Sequence, residues 1–393
     1  MKRPLDGIVV VTLEHAIAAP LATRHLADNG ARVIKIERPG GGDFARAYDQ
    51  RARGLASHFV WANRGKESVT LDLKHARASP VLQRLLARAD VFVQNLAPGA
   101  ATRLGLDAAS VHRINPRAIV CGVSGYGESG PYRDKKAYDL LIQAEAGLLS
   151  ITGSDAAMAK SGISIADIAG GMYAYSGILN ALLLRARTGE GSSIEVSLLD
   201  FLAEWMGYPL YYALDGAVQP ARTGAMHATI YPYGPFTAGD GKTVMIAIQN
   251  EREWALFCEK VLDTPDLARD SRFDSNARRS ANRRQLEPIL LERLAQLRAA
   301  DLIALLDAAS IANASVNTVE GLREHPQLQA RERWSEIDSP AGPLPALRPP
   351  PLSDAFTQAM GNIPALGAHT DDVLVWLGYS STEIEALRAG GLI

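Results

Sequence analysis

Ile8-Val9-Val10-Val11-Thr12-Leu13-Glu14-His15-Ala16-Ile17-Ala18-Ala19-Pro20 opens with a short apolar run rich in β-branched residues and without polar alternation. Such a run reads as a strand buried on both faces, the kind found in a parallel sheet covered by helices. A helix is expected next over 18–28, closed by Asn29-Gly30. Further strands are expected at 33–37, 68–73, 91–94, 118–123 and 194–198, with helices at 80–89, 107–114 and 167–187. This alternation predicts an α/β fold with a large, Rossmann-like open parallel sheet and ligands at the carboxyl ends of its strands. The turn 13–20 contains no glycine, so the G-x-G-x-x-G fingerprint is missing where a dinucleotide fold requires it. Gly241-Lys242-Thr243 ends like a phosphate loop, but Phe236 stands where its first glycine belongs and a strand follows. No NAD or P-loop chemistry is expected.

After about Gly216 the pattern changes. A hairpin is expected over 233–237 and 243–248, with helices at 251–262, 284–296 and 299–308. The layout read from this is a large α/β domain over 1–200, a linker over 201–224 and a smaller α+β domain over 225–330. A second linker covers 331–355, extended and proline-rich at 338–351. The C-terminal segment 356–393, with helices at 370–377 and 381–389, is too short for its own core and is expected to return to the large domain.

The chain has 393 residues, with 41 basic and 43 acidic side chains. That balance argues against nucleic acid or a membrane surface as partner. Cys121 and Cys258 are the only cysteines and lie in apolar stretches, so neither a disulfide framework nor a cysteine metal site is expected. The eight histidines show no paired metal-ligand spacing, so no metal is expected. Met1-Lys2-Arg3-Pro4-Leu5-Asp6-Gly7 lacks the apolar core of a signal peptide and no run is long enough to span a bilayer, so a cytoplasmic location is expected.

Ser164-Ile165-Ala166-Asp167-Ile168-Ala169-Gly170-Gly171-Met172 begins the longest helix. Ile168, Met172, Tyr175, Leu179, Leu182, Leu183 and Ala186 recur on it at helical spacing. Gly170, Ala174, Gly177 and Ala181 form a second, small-residue stripe that would admit another backbone closely. A carboxylate at this helix mouth reads as an ordinary N-cap or as a nucleophile kept ionised by the helix end, its pKa lowered. Arg38, Lys74, Asn95, Arg103 and Lys136 fall after expected strands, where they read either as solvated surface groups or as ligands for a phosphorylated molecule.

Taken in order, several stretches resemble the class III CoA-transferases, the family of formyl-CoA transferase and carnitine CoA-transferase. They are residues 30–43 (GARVIKIERPGGGD), Asn63-Arg64-Gly65-Lys66-Glu67-Ser68, Gln94-Asn95-Leu96-Ala97-Pro98-Gly99, Lys136-Ala137-Tyr138-Asp139, Thr152-Gly153, Ala166–Met172, Thr188-Gly189-Glu190-Gly191 and Leu366-Gly367-Ala368-His369-Thr370. The resemblance implies that Asp167 is the nucleophile, forming an acyl anhydride and then an aspartyl-CoA thioester. It implies coenzyme A as the cosubstrate, held near Ile17, Ala18, Arg38, Leu71, Lys74, Asn95, Leu96, Arg103, Lys136 and Tyr138, and an interlocked homodimer. The family also holds α-methylacyl-CoA racemases, whose histidine position is Tyr138 here; a phenol replaces poorly an imidazole that must titrate near neutrality. A racemase-like isomerase and a non-catalytic CoA-ester binder remain as alternatives. His15–Pro20, Gly42–Arg46 and Arg222–His227 are similar to the branch handling mesaconyl-CoA and citramalate. That likeness implies short dicarboxylates as substrates, with succinyl-CoA as donor, and Arg46, Arg222 or His227 as ligands of a second carboxylate.

Overall fold

A computed structural model describes residues 3–393. The chain forms two compact units: one takes the chain up to 146 together with 161–206 and 327–393, the other 147–160 and 207–326. In chain order, the first part of the larger unit runs β1 (Val9–Leu13), α1 (Ala18–Asp28), β2 (Arg32–Glu37), α2 (Ser57–Asn63), β3 (Lys66–Thr70), α3 (Ala78–Arg88), β4 (Val91–Gln94), α4 (Ala100–Arg103), α5 (Ala108–Ile114) and β5 (Ile119–Ser124). It continues through α6 (Asp139–Glu145), then α7 (Leu148–Ile151) of the other unit, and returns as α8 (Ile165–Thr188), β6 (Ser192–Ser197) and α9 (Leu198–Trp205).

The six strands lie in the order β3-β2-β1-β4-β5-β6, every pair parallel. The order reverses between β1 and β4, so the crevice of such a sheet opens beyond Leu13 and Gln94. Both faces are covered, as the unbroken apolar run of β1 requires. Val10, Val33, Val91 and Cys121 pack under α1, α8 and α9, while Val11, Ile34, Phe92 and Val120 pack under α3 and α5. Val373, Leu374, Ile384 and Leu387 of the two C-terminal helices, Thr370–Trp376 and Ser381–Ala389, join that second layer.

Four expectations need correcting. The third strand is Lys66–Thr70, not 68–73: the Leu71 N–H makes the last bond to β2, at the Glu37 carbonyl, and its side chain fills the core. Residues 201–224 are not a plain linker: α9 and the helix Gly207–Tyr212 occupy their first half. The proline-rich stretch 338–351 is not simply extended, since Trp334–Ile337 pairs antiparallel with Leu344–Leu347. Pro345 is tolerated there because both strands of a two-stranded ribbon are edges. Finally, the large-residue stripe of α8 packs only in part, through Tyr175, Leu179 and Leu182, while the small-residue stripe admits a neighbouring backbone as expected. The small stripe is the buried face, whereas Met172 and Leu183 of the large one are exposed at 41% and 56%. A β-carbon added at Gly171 would stand 2.7 Å from the Ala18 carbonyl oxygen, and one at Gly170 would stand 2.6 Å from Leu198. The absent side chains let α8 sit directly against α1 and α9.

The smaller unit holds a three-stranded antiparallel sheet of β7 (Tyr233–Thr237), β8 (Thr243–Ala247) and β9 (Ala312–Ser315). Helices Glu251–Lys260, Arg283–Leu294 and Ala299–Ala308 cover it through Phe257, Leu290 and Leu302. Among the described residues no helix is long and apolar enough to cross a membrane.

Candidate active site

α8 starts at the carboxyl edge of the sheet, because it leads back into the parallel strand β6. Its cap residue, Ser164, makes no side-chain cap bond. The work is done from a distance by Asp139, the first residue of α6. Its Oδ1 accepts from the backbone N–H groups of Ala166 at 2.8 Å and Asp167 at 3.3 Å. Gln143 Nε2 donates to Asp139 Oδ2 at 2.6 Å, and Gln143 Oε1 accepts from Ser161 N–H at 3.0 Å. The capping reading of Asp167 is therefore corrected: the neighbouring carboxylate takes the free donors, and no described group donates to the Asp167 side chain. The expected fall in its pKa is corrected with it. Burial pushes Asp167 up to about 7, and the like charge of Asp139 adds to the rise. A partly buried carboxylate without a cation or donor is poorly solvated, which is what a nucleophile needs.

Asp167 precedes Gly171 by one helical turn, and Gly171 lies against the first turn of α1. That helix begins at Ile17-Ala18 with no side-chain cap, so its leading N–H groups remain for an anion.

The turn after β2 supplies the opposite rim. Tyr48 carries a hydroxyl that burial raises to about 12, with Asp43, Asp167 and Tyr138 adding to the shift; these four groups share one electrostatic neighbourhood. Tyr48 packs on Phe44 at 5.7 Å, and Phe44 stacks on His15 at 5.2 Å. Behind this row lies a fully buried network. Lys35 Nζ donates to Asp43 Oδ2 at 2.6 Å and Asn63 Oδ1 at 3.0 Å, and Lys66 Nζ donates to Glu14 Oε1 at 2.6 Å. Burial alone would raise Glu14, but Lys66 and Lys35 outweigh it and hold it below its usual range. Burial likewise opposes Lys35, yet Glu14, Asp43 and Glu37 hold it up.

The residues read from sequence fall into three groups. Arg38 follows β2, Lys74 follows β3, Arg103 ends α4 after β4, and Lys136 precedes α6 after β5. All four are exposed, and none has a hydrogen-bond or ion-pair partner for its side chain among the described residues. Tyr138, 67% exposed, caps α6 beside them. The four cations thus come from segments that follow β2, β3, β4 and β5 in the chain. A second group is structural. Leu71 is a core residue, Ile17 and Ala18 are buried, and Leu96 is partly buried against the second core layer. Asn95 spends its amide on the backbone of His15, accepting from its N–H and donating to its carbonyl, each at 2.9 Å.

The third group concerns the second carboxylate. Arg46 is committed: its Nε and Nη2 fork onto Glu37 at 2.8 and 2.7 Å, and its guanidinium lies 3.7 Å above the Phe59 ring. That expectation is corrected, since the fork is closed by its own chain. Arg222 and His227 belong to the smaller unit. There Arg222 donates to the carbonyls of Ser154 and Asp155, and His227 Nδ1 accepts from the N–H groups of Thr229 and Ile230. His15, Tyr48 and the capping role of Asp139 were not read from the sequence. His15 and Asp139 had a usable signal, since both lie in the quoted stretches His15–Pro20 and Lys136–Asp139; Tyr48 falls two residues beyond Gly42–Arg46. Among the described residues no group of three His, Cys, Asp or Glu side chains is placed to hold a metal.

Comparison with known proteins shows the family. The sequence model of CoA-transferase family III matches residues 5–370. The chain is 33% identical to succinyl-CoA:glutarate CoA-transferase of Mus musculus, over 100% of this chain and 90% of that protein. It is 31% identical to succinyl-CoA:mesaconate CoA-transferase of Haloarcula hispanica, over 94% of this chain and 95% of that one. A crystal structure of a CAIB/BAIF family protein from Brucella suis superposes with a TM-score of 0.84 at 34% identity, covering 96% of this chain and 100% of that one.

Proposed function

Because the chain belongs to CoA-transferase family III, we propose that it moves coenzyme A from succinyl-CoA to a second short dicarboxylic acid, with Asp167 as the covalent carrier. The observation that carries this is a buried carboxylate raised to about 7 in the first turn of α8, a helix that packs at Gly171 against the first turn of α1, which has no side-chain cap. Ionised Asp167 attacks the thioester carbonyl, the C–S bond breaks, and an aspartyl-succinyl anhydride and CoA thiolate result. The thiolate attacks the Asp167 carboxyl carbon, releasing succinate and leaving an aspartyl-CoA thioester. The acceptor carboxylate attacks that carbon to form a second anhydride and free the thiolate. The thiolate then attacks the acceptor acyl carbon, releasing the new thioester and the Asp167 carboxylate. No proton is gained or lost overall, so no titrating partner at position 138 is required, which favours transfer over racemisation.

The uncapped N–H groups of α1 receive the negative charge that builds on the carbonyl oxygen at each step. Arg38, Lys74, Arg103 and Lys136 hold the phosphates of CoA as point charges along the crevice edge. The relatives act on glutarate and mesaconate according to their names, so a five-carbon diacid is the first acceptor to try. The same reading includes a homodimer with interlocked chains in the cytoplasm. Leu183 and Leu184 on the outer face of α8 are exposed at 56% and 54%, an apolar surface suited to a second copy.

The test incubates the protein with succinyl-CoA and a panel of mono- and dicarboxylic acids and resolves the CoA esters formed. Borohydride reduction of the succinyl-CoA complex should convert Asp167 to homoserine, seen by peptide mass. Transfer without any modification at Asp167 would overturn the covalent route. Solvent deuterium entering the α-carbon without an acceptor would favour isomerase chemistry instead.

A further inference from the structure

Arg46 is closed onto Glu37, so its fork is not open to the distal carboxylate of an acceptor. Resting on the reading of Asp167 as carrier, we propose that His15 receives that second carboxylate and thereby sets the preference for diacids over monoacids.

The turn that carries His15 is fixed at several points. Asn95 clasps its backbone N–H and carbonyl, each at 2.9 Å. Ala16 follows with φ +63°, a left-handed conformation that a residue with a β-carbon adopts only when its surroundings impose it. Asp43 Oδ1 imposes it, accepting from the Ala16 N–H at 3.2 Å. The turn thus keeps the His15 ring out of α1 and lays it flat on Phe44, at 5.2 Å and 19°.

The two ring nitrogens then meet different surroundings. Nδ1 is buried without a hydrogen-bond partner and stands 3.7 Å from Asp43 Oδ1. Nε2 is reachable from solvent and has no partner, in a side chain 33% exposed. Asp43 is not free to move toward a ligand. Lys35 holds its Oδ2 at 2.6 Å, and its Oδ1 also accepts from the Ala45 N–H at 2.9 Å. The charged groups around the imidazole are therefore Asp43 in front, with Lys35 and then Glu14 behind it. A proton on Nδ1 points at a fixed carboxylate, and a second carboxylate arriving at Nε2 completes a charge-assisted pair on the other side of the ring. A histidine that served only to pack against Phe44 would not need a buried carboxylate at its inner nitrogen and an empty outer one.

The position also fits. The ring row continues from Phe44 to Tyr48, and Tyr48 lies in the field of Asp167 and Tyr138. The row thus runs from His15 through Phe44 to Tyr48, which feels the charge of Asp167. A monoacid reaching Asp167 leaves Nε2 unfilled.

The experiment compares the full-length protein with His15→Phe, which keeps the stack on Phe44, and His15→Asn, which keeps a polar group. Each is assayed with succinyl-CoA and either glutarate or butanoate as acceptor, and by borohydride trapping at saturating succinyl-CoA. The ratio of kcat/KM for glutarate over butanoate should fall roughly ten- to hundredfold in the Phe variant, chiefly through KM for glutarate, the size expected for one lost charge-assisted bond. His15→Asn should lie between. Equal losses for both acids, or an unchanged ratio in either variant, would overturn the proposal while the wild type still transfers CoA and traps at Asp167. A wild type that does neither overturns the carrier reading and this inference together.

Discussion

Asp43 and Asp167 are the same residue type in one electrostatic neighbourhood, and the fold drives them in opposite directions. Burial would raise both. At Asp43 the Lys35 ammonium, its hydrogen bond to Oδ2 and the bond from the Ala45 N–H outweigh burial and hold the carboxyl well below the usual range. At Asp167 nothing opposes burial, and Asp139 reinforces it. The lesson is that depth in the protein does not decide whether a carboxylate serves as scaffold or reagent. A cation sharing the pocket makes it scaffold; its absence leaves a carboxylate that is costly to ionise and correspondingly reactive.

The most severe way to break the contrast is Asp167→Asn. Loss of the carrier should lower CoA transfer at least roughly a thousandfold and abolish trapping. The same variant should be more stable than the wild type near pH 8. The folded-state pKa lies above the unfolded one, so the native protein gives up stability as pH rises from about 4 through about 7, and the amide removes that penalty. After discounting for partial solvent access the gain is roughly 1–3 kcal/mol, read as a higher Tm at pH 8 but not at pH 4. Asp43→Asn should do the reverse. It leaves the Lys35 charge buried without its closest partner and should cost about 3–5 kcal/mol. The sign of its pH dependence is also opposite: a depressed folded-state pKa supplies stability that is full above the unfolded value of about 4 and is lost as pH falls from there toward the depressed value. Two amide variants shifting Tm in the same direction at pH 8 would refute the contrast.

A milder probe is Asp139→Asn. Wild-type kcat/KM should rise with pH through about 7 as Asp167 ionises. Removing the charge of Asp139 while keeping an oxygen for the Ala166 N–H should move that limb to lower pH. An unmoved limb would show that burial alone sets Asp167.

How much of this was readable in the sequence follows the range of the forces involved. The sheet was legible because Val9, Val10 and Val11 must face two cores at once, and strand 91–94 was bounded as the structure has it for the same local reason. Asp167 was legible by order among other motifs and by its place at a helix start. Its protonation was not, because the deciding partner, Asp139, lies 27 residues away from the N–H it caps and no spacing rule links the two. Arg46 illustrates the same limit. Its type and place suggested a carboxylate ligand, and the carboxylate it found was Glu37 of its own chain. The exposed cations were easier, since a charged residue just past a buried strand has only the crevice edge to occupy.

Those cations give the smallest effects and the finest test. Arg38, Lys74, Arg103 and Lys136 are exposed, and none of them contributes to the shift of Asp167. Each neutral variant should therefore raise KM for succinyl-CoA by roughly two- to fivefold, the size of an exposed ion pair, with the loss shrinking at high salt. The acidic limb of kcat should stay near 7 in all four. Lys136 is the most informative, being two residues from Tyr138 and three from Asp139. If Lys136→Gln moves that limb upward, a cation does share the pocket of Asp167 once substrate binds, and the reactive carboxylate would be a weaker copy of Asp43 rather than its opposite. If only KM moves, binding charge and reactive charge are held on separate elements, the first along the strand ends and the second on α8.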